Sequence, residues 1–210
     1  NITISEHEAS GETALVTAFD LLASGSVDRV VVSGMDEFSQ VLLHAFEDRH
    51  LLDPRCMGKP ENRSSNKRTL IPGEGGSTLV LERLSSARDR GHQPLAVLVD
   101  AATMGTGCRA HQFTAPSDAA NAVHEWLRER AVDLLISSGA CSPARQAVDR
   151  AIGAAIGRPA QIDLGSAVGE SPSGGILAAA IGALACAAGR RPGDPATTGK
   201  APLSAVLISG

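Results

Sequence analysis

The sequence predicts a layered α/β fold, and three observations carry that expectation. Short β-branched segments alternate with longer segments of helical period along all 210 residues. At 43% hydrophobic and 20% charged, the chain has the balance of a globular protein with a sizeable core. Twenty-two glycines and many alanines suit layers packed at close distance.

The elements follow in order. Residues 2–5 alternate apolar and polar and predict a strand. It leads into the small-residue turn Glu6-His7-Glu8-Ala9-Ser10-Gly11, with a helix directly after it. Enzymes use strand, sharp turn and helix to present a nucleophile, and here the apex residue is the carboxylate Glu8. Over 12–24, Ala14, Leu15, Ala18, Leu21 and Leu22 share one helical side, and Gly25 is a natural stop. The β-branched run in 28–34 predicts a buried strand, which would complete a βαβ unit in about 33 residues.

Further on, 40–48 reads as a helix and the polar segment 53–69 as a long loop. Residues 78–82 read as a strand, 85–90 as a helix ended by Gly91, and 95–101 as a strand. After a glycine-rich stretch at 104–109 comes a helix over 117–130, with Ser117 as its N-cap. A strand over 132–137, a helix over 143–156 and a short strand over 161–164 precede a helix over 174–188. The apolar part of that helix, 176–188, is too short and glycine-rich for a membrane span and reads as buried. Residues 192–202 read as a loop and 203–209 as a closing strand. The halves 1–94 and 95–210 each alternate strands and helices, with no linker between them. One layered architecture is expected rather than two independent domains.

Composition narrows the function classes. Aromatics are 2%, with no Tyr and one Trp, so stacking platforms for bases or sugars are not expected. A net charge of −4 without basic runs argues against nucleic acid and anionic membranes as partners. Cys56, Cys108, Cys141 and Cys186 are far apart and form no C-x-x-C pair, so no metal or other cofactor is expected. Reduced cysteines and the lack of a visible signal peptide lead to a cytoplasmic expectation. The chain does not begin with Met, which suggests a processed product or a fragment.

Four segments, in order, resemble the β-ketoacyl synthase (condensing enzyme) family of the thiolase fold. "LLASGSVDRVVVSGMDE" (21–37) is similar to the family's helix and strand that end in a Gly-Gly-acidic turn. "PGEGGSTLVLERLSSARDRG" (72–91) resembles G-[DE]-G-A-G-x-x-V-L-E with its following helix, and is the most specific match. "SSGACSP" (137–143) resembles the His-Gly-Thr-x-Thr-Pro loop, and "GSAVGE" (165–170) the Lys-Ser-x-x-Gly-His motif. The resemblance implies a thiolase-like layered αβαβα architecture, incomplete because the family's first strands and helices are missing. It implies that another chain supplies that N-terminal half, or that the sequence is a fragment.

The resemblance also places the site. The family's cysteine falls at Glu8, its first histidine at Ser138, its lysine at Gly165 and its second histidine at Glu170. A thiolate is needed to take the acyl chain as a thioester, and a carboxylate is a poor substitute. Serine and glutamate in place of two histidines remove donors that would stabilise an enolate, and such electrostatic help is often the main source of an enzyme's rate. In the family geometry Glu170 would lie near Glu8, and two neighbouring carboxylates raise at least one pKa. Four departures together describe a site that no longer condenses.

The resemblance therefore implies a non-condensing subunit of chain-length-factor type, with an active ketosynthase and an acyl carrier protein as partners. Its strand 2–4 would lie at the dimer interface, and Gly11, Ala14 and Ala18 would set the width of a shared tunnel. Two alternatives stay open. One is a malonyl-ACP decarboxylase using Glu8. The other is a hydrolase or acyltransferase with a rearranged site built from His7, Ser10 or Glu8, although G-x-S-x-G is absent. Gly73-Glu74-Gly75-Gly76 lacks the Gly-Lys-[Ser/Thr] ending of a phosphate loop and precedes a strand, so it reads as a tight turn.

Overall fold

The computed structural model describes residues 1–6, 9–53, 70–104, 115–128, 130–137, 143–194 and 203–209. Helix α1 (Ser10–Ala23) is followed by strand β1 (Arg29–Asp36) and helix α2 (Gln40–Asp48). Strand β2 (Gly75–Glu82) and helix α3 (Leu84–Asp89) come next, then helix α4 (Pro116–Leu127) and strand β3 (Leu134–Ser137). Helix α5 (Pro143–Ala155), strand β4 (Ala160–Asp163), helices α6 (Leu164–Val168) and α7 (Gly174–Ala188) and strand β5 (Val206–Ser209) complete the order.

Helix ends follow local chemistry. At the end of α1, Gly25 at φ +73° donates its N–H to Leu22 O, and Ser26 N–H reaches Leu21 O at 3.0 Å. This bond pair satisfies carbonyls that a helix end leaves orphaned, and glycine adopts the left-handed turn without strain. Gly91 closes α3 and Gly189 closes α7 with the same pair of bonds. Ser39 caps α2, accepting from Leu42 N–H at 3.3 Å. Helix α4 starts one residue earlier than Ser117: Pro116 opens it, because a first-turn residue has no intrahelical use for an N–H. Ser117 instead turns its hydroxyl toward Asp118.

The strands form two sheets. β1 and β2 pair antiparallel, Arg29 opposite Glu82 through Asp36 opposite Gly75. β4, β3 and β5 pair in parallel in that order, with β3 central. All four residues of β3 are buried, as a central parallel strand covered on both faces requires. Asp133 accepts from Ser204 N–H, Ser204 hydroxyl and Ala205 N–H, which seats the start of β5 beside β3.

Three clusters define the layers. Leu15 and Ala18 of α1 and Ile176 of α7 pack on Val32, with Leu79 and Leu81 of β2 beside them. Ala178 and Ala185, farther along α7, pack on Leu134 and Ile136 of the second sheet. On the other face of that sheet, Leu135 and Leu207 are covered by Leu127 of α4 and by Val148 and Ile152 of α5. The order is therefore two-stranded sheet, helices, three-stranded sheet, helices. α7 touches both sheets, which explains why its sequence is apolar on nearly every side.

Several sequence expectations are corrected. Residues 2–5 form no strand, Ile2 is 62% exposed, and no βαβ unit forms: β1 takes its partner from β2. A strand requires a ladder neighbour, and alternation alone supplies none. Residues 95–101 likewise form no strand, and Leu95, Val97, Leu98 and Val99 are exposed. β1 is covered on one face only, so Val32 is buried while Val31 is 64% exposed. Helix α6 fills a stretch to which the sequence pattern assigned no element, because Asp163 accepts from Ser166 N–H at 3.1 Å and starts a helical turn. The loop readings at 53–69, 104–109 and 192–202 lie largely outside the described residues.

Candidate functional site

The candidate site is built where α1 and α7 begin. Ahead of α1, Ser10 Oγ accepts from Glu6 N–H at 2.9 Å, and Glu6 Oε2 accepts from the Thr13 hydroxyl at 3.0 Å. Gly11 N–H donates to Pro172 O at 2.8 Å, tying the start of α1 to the turn before α7. A Cβ on Gly11 would lie 3.1 Å from the backbone of Ser173 and Gly175. One on Gly175 would lie 2.7 Å from Glu12 Oε1. Both glycines are needed because two backbones and a carboxylate share this space.

Asp36, the last residue of β1, accepts from Ser173 N–H at 2.8 Å and from the Ser171 hydroxyl. Burial pushes its carboxyl up, but the bonds from Ser171 and Ser173 outweigh that and hold it below the usual carboxylate range. A carboxylate at the positive end of a helix is also favoured by the aligned peptide dipoles.

Gly165 is buried in α6 and accepts from Gly169 N–H at 2.9 Å. Glu170 is clamped by its backbone: its N–H donates to Ile71 O at 2.7 Å, and its carbonyl accepts from Gly73 N–H at 2.8 Å. At that crossing a Cβ on Gly73 would lie 2.9 Å from Gly169 C, so Gly73 serves close approach rather than a special turn conformation. Of the predicted site residues, Ser10 opens α1, Gly165 lies in α6, and Glu170 lies in the turn between α6 and α7, bound to Ile71 and Gly73. His7, Glu8 and Ser138 lie outside the described residues. Ser10 is engaged in the turn, and Gly11, Ala14 and Ala18 pack α1 on its neighbours. The sequence reading did not single out Glu12 or Asp36. The available signals were an acidic residue in the first turn of α1 and another at the end of a strand.

A second polar cluster lies at the carboxyl ends of the parallel strands, next to position 138. The Ser137 hydroxyl donates to Asp149 Oδ2 at 2.6 Å, and Arg145 Nε lies 3.3 Å from Asp149 Oδ1. Arg145 also donates to the Ser209 hydroxyl at 3.1 Å, so one network joins the ends of β3 and β5 to α5. Burial pushes the Asp149 carboxyl up, and the Arg145 charge only partly compensates. A cavity of about 200 Å³ opens beside it, lined by Ser137, Gln146, Asp149, Arg150, Gln161 and Asp163 among others.

Two layered sheets with helices between them are consistent with a partial thiolase-like fold. Residues 1–87 match the family described as Beta-ketoacyl synthase, N-terminal domain. The fold is similar to a β-ketoacyl synthase from Burkholderia phymatum STM815, with TM-score 0.73 and 24% identity over 97% of this chain and 53% of that one. It is also similar to the ishigamide ketosynthase/chain length factor (TM-score 0.65, 25% identity, 95% of this chain and 52% of that one). A third similar structure is a type II PKS acyl-carrier protein in complex with its ketosynthase bound to the hexaketide (TM-score 0.71, 19% identity, 96% and 54% covered). No curated protein matches the chain. The chain spans about half the length of the solved ketosynthases it matches. Among the described residues, no helix is long and apolar enough to cross a membrane.

Proposed function

We propose that this chain is a non-condensing ketosynthase-like subunit of chain-length-factor type. It pairs with an active ketosynthase, and an acyl carrier protein delivers the acyl chains to the pair. The observation that carries the reading is the residue set at the resembled catalytic positions: Glu8, Ser138, Gly165 and Glu170 offer no thiol, imidazole or amine. Gly165 has no side chain to present, and Glu170 brings a carboxylate to the position that the resemblance gives to the family's second histidine. Among the similar structures are a ketosynthase/chain length factor and a ketosynthase with its carrier protein, which supports such partners.

In this reading 1–94 and 95–210 are the two thiolase-like halves, and a further polypeptide segment completes the first. The exposed side chains of Val31, Met35 and Val80 on the outer face of β1 and β2 suit such a covering layer. Co-expression with a ketosynthase, followed by the mass of the purified assembly, tests the pairing. A stable complex whose condensing activity resides wholly in the partner is the expected result. A chain that never co-purifies with a ketosynthase, or that alone extends an acyl thioester, overturns it.

A further inference from the structure

The connections of the parallel sheet diverge between β3 and β4. From the end of β3 the chain passes to α5, which packs on the Leu135 face. From the end of β4 it passes through α6 to α7, which packs on the opposite face at Leu134 and Ile136. Where neighbouring connections part in this way, a crevice is left at the carboxyl ends of the strands, and open α/β sheets bind their ligands there. The cavity of about 200 Å³ lies at that point, between α5 and the paired strand ends Ser137 and Asp163. Drug-sized sites run to about 300–1,000 Å³, so the occupant of this one is a small molecule.

The chemistry of the occupant follows from which polar groups are already engaged. Asp149 meets the Ser137 hydroxyl and Arg145, and Asp163 accepts from the Ser166 N–H and hydroxyl. Neither carboxylate is left to seek a cation. Gln146, Arg150 and Gln161 differ: among the described residues their side chains meet no hydrogen-bond or ion-pair partner. Gln146 and Arg150 stand one turn apart on α5, and Gly153 lies a further turn along the same face. The Gln161 amide packs on Gly153, where a Cβ would clash with its nitrogen, so β4 holds this amide against α5. One guanidinium and two amides thus offer N–H donors from two elements to one cavity, and Leu135 and Ile162 add apolar lining.

We propose that this cavity binds a small carboxylate, its oxygens held by the Arg150 fork and by the amide N–H groups of Gln146 and Gln161, with its hydrocarbon part against Leu135 and Ile162. A guanidinium meets a planar carboxylate through two parallel charge-assisted bonds, which a lysine in its place could not form. The site goes beyond the pairing with a ketosynthase and does not depend on it.

The test is a titration of the full chain with sodium butyrate, followed by the amide NMR shifts of the labelled protein, with sodium chloride at matched ionic strength as reference. Butyrate is expected to give saturable shifts at residues 135–137, 146–150 and 161–163. The n-butylammonium ion, of the same length and opposite charge, is expected to give none there. Arg150 is exposed and unpaired, so Arg150→Met is expected to keep the fold and to weaken butyrate at least about tenfold. Arg150→Lys keeps the charge and loses the fork, and is expected to bind several-fold more weakly than the wild type. If Arg150→Met does not fold, Arg150→Lys decides. The proposal is overturned if n-butylammonium takes the site, if butyrate moves only amides elsewhere or none, or if the Arg150 variants bind as tightly as the wild type. Any of these failures leaves the ketosynthase pairing untouched, because co-purification reads that separately.

Discussion

Replacing Ile176 by alanine is expected to destabilise the protein far more than the same truncation two turns later at Leu184. Both lie on α7, an apolar helix along which sequence alone offers no reason to rank them. Ile176 is 1% exposed and sits among Leu15, Ala18 and Val32, whereas Leu184 is 58% exposed. Ile176→Ala removes an ethyl and a methyl group, a transfer loss of ~2.4 kcal/mol at about 0.8 kcal/mol per carbon. The cavity left between α1, α7 and β1 adds to this at about 24 cal/mol per Å³. Alanine's better helix propensity returns about 0.5 kcal/mol. The net is a loss of about 2.5–4 kcal/mol, against about 0.5 kcal/mol or less for Leu184→Ala. Urea unfolding followed by circular dichroism measures both, with the m-value checked for constancy. Equal losses, or a larger loss at Leu184, would refute the placement of α7 with its first turns deep between α1 and β1.

Two other perturbations test the polar framework. Asp36 has a lowered folded pKa, so its contribution is present above the unfolded value and is lost as pH falls through the folded one. Asp149 has a raised folded pKa, so its contribution is present below the unfolded value and is lost as pH rises through the folded one. Midpoints of urea unfolding across the acid range should therefore decline less at low pH in Asp36→Asn, with Glu82 and Asp133 still contributing, and decline less with rising pH in Asp149→Asn. Matching pH profiles for the two variants would count against both assignments. Gly11→Ala sets a helix-propensity gain of about 1 kcal/mol against overpacking of about 1–3 kcal/mol. The atoms it meets at 3.1 Å are backbone, which cannot rotate away, so a net loss of up to about 2 kcal/mol is expected. A stabilised variant in thermal unfolding would show that α1 and α7 are farther apart than described.

Much of the helical structure was legible in the sequence. α2 and α7 fall on the predicted residues, and glycine marks the ends of α1, α3 and α7, because helical bonds are local and the left-handed closing residue is visible in the chain. The strands were legible only in part. The apolar run of β3 gave a buried parallel strand, but similar runs at 2–5 and 95–101 gave none. At the site, the sequence supplied Ser10, Gly165 and Glu170 but passed over Glu12, Asp36 and Asp149. The significance of those carboxylates comes from groups far along the chain: Gly175 for Glu12, Ser173 for Asp36, Ser137 for Asp149.

The sequence by itself determined which segments can be helices, where they stop, and which family the ordered motifs resemble. Only the tertiary structure decided which β-branched segments find a ladder partner, which face of β1 is covered, and what fills the junction of α1 and α7. The physical reason is one of range. A helix satisfies its own backbone within four residues, whereas a strand, a buried carboxylate and a glycine at a close approach depend on neighbours that only folding brings near.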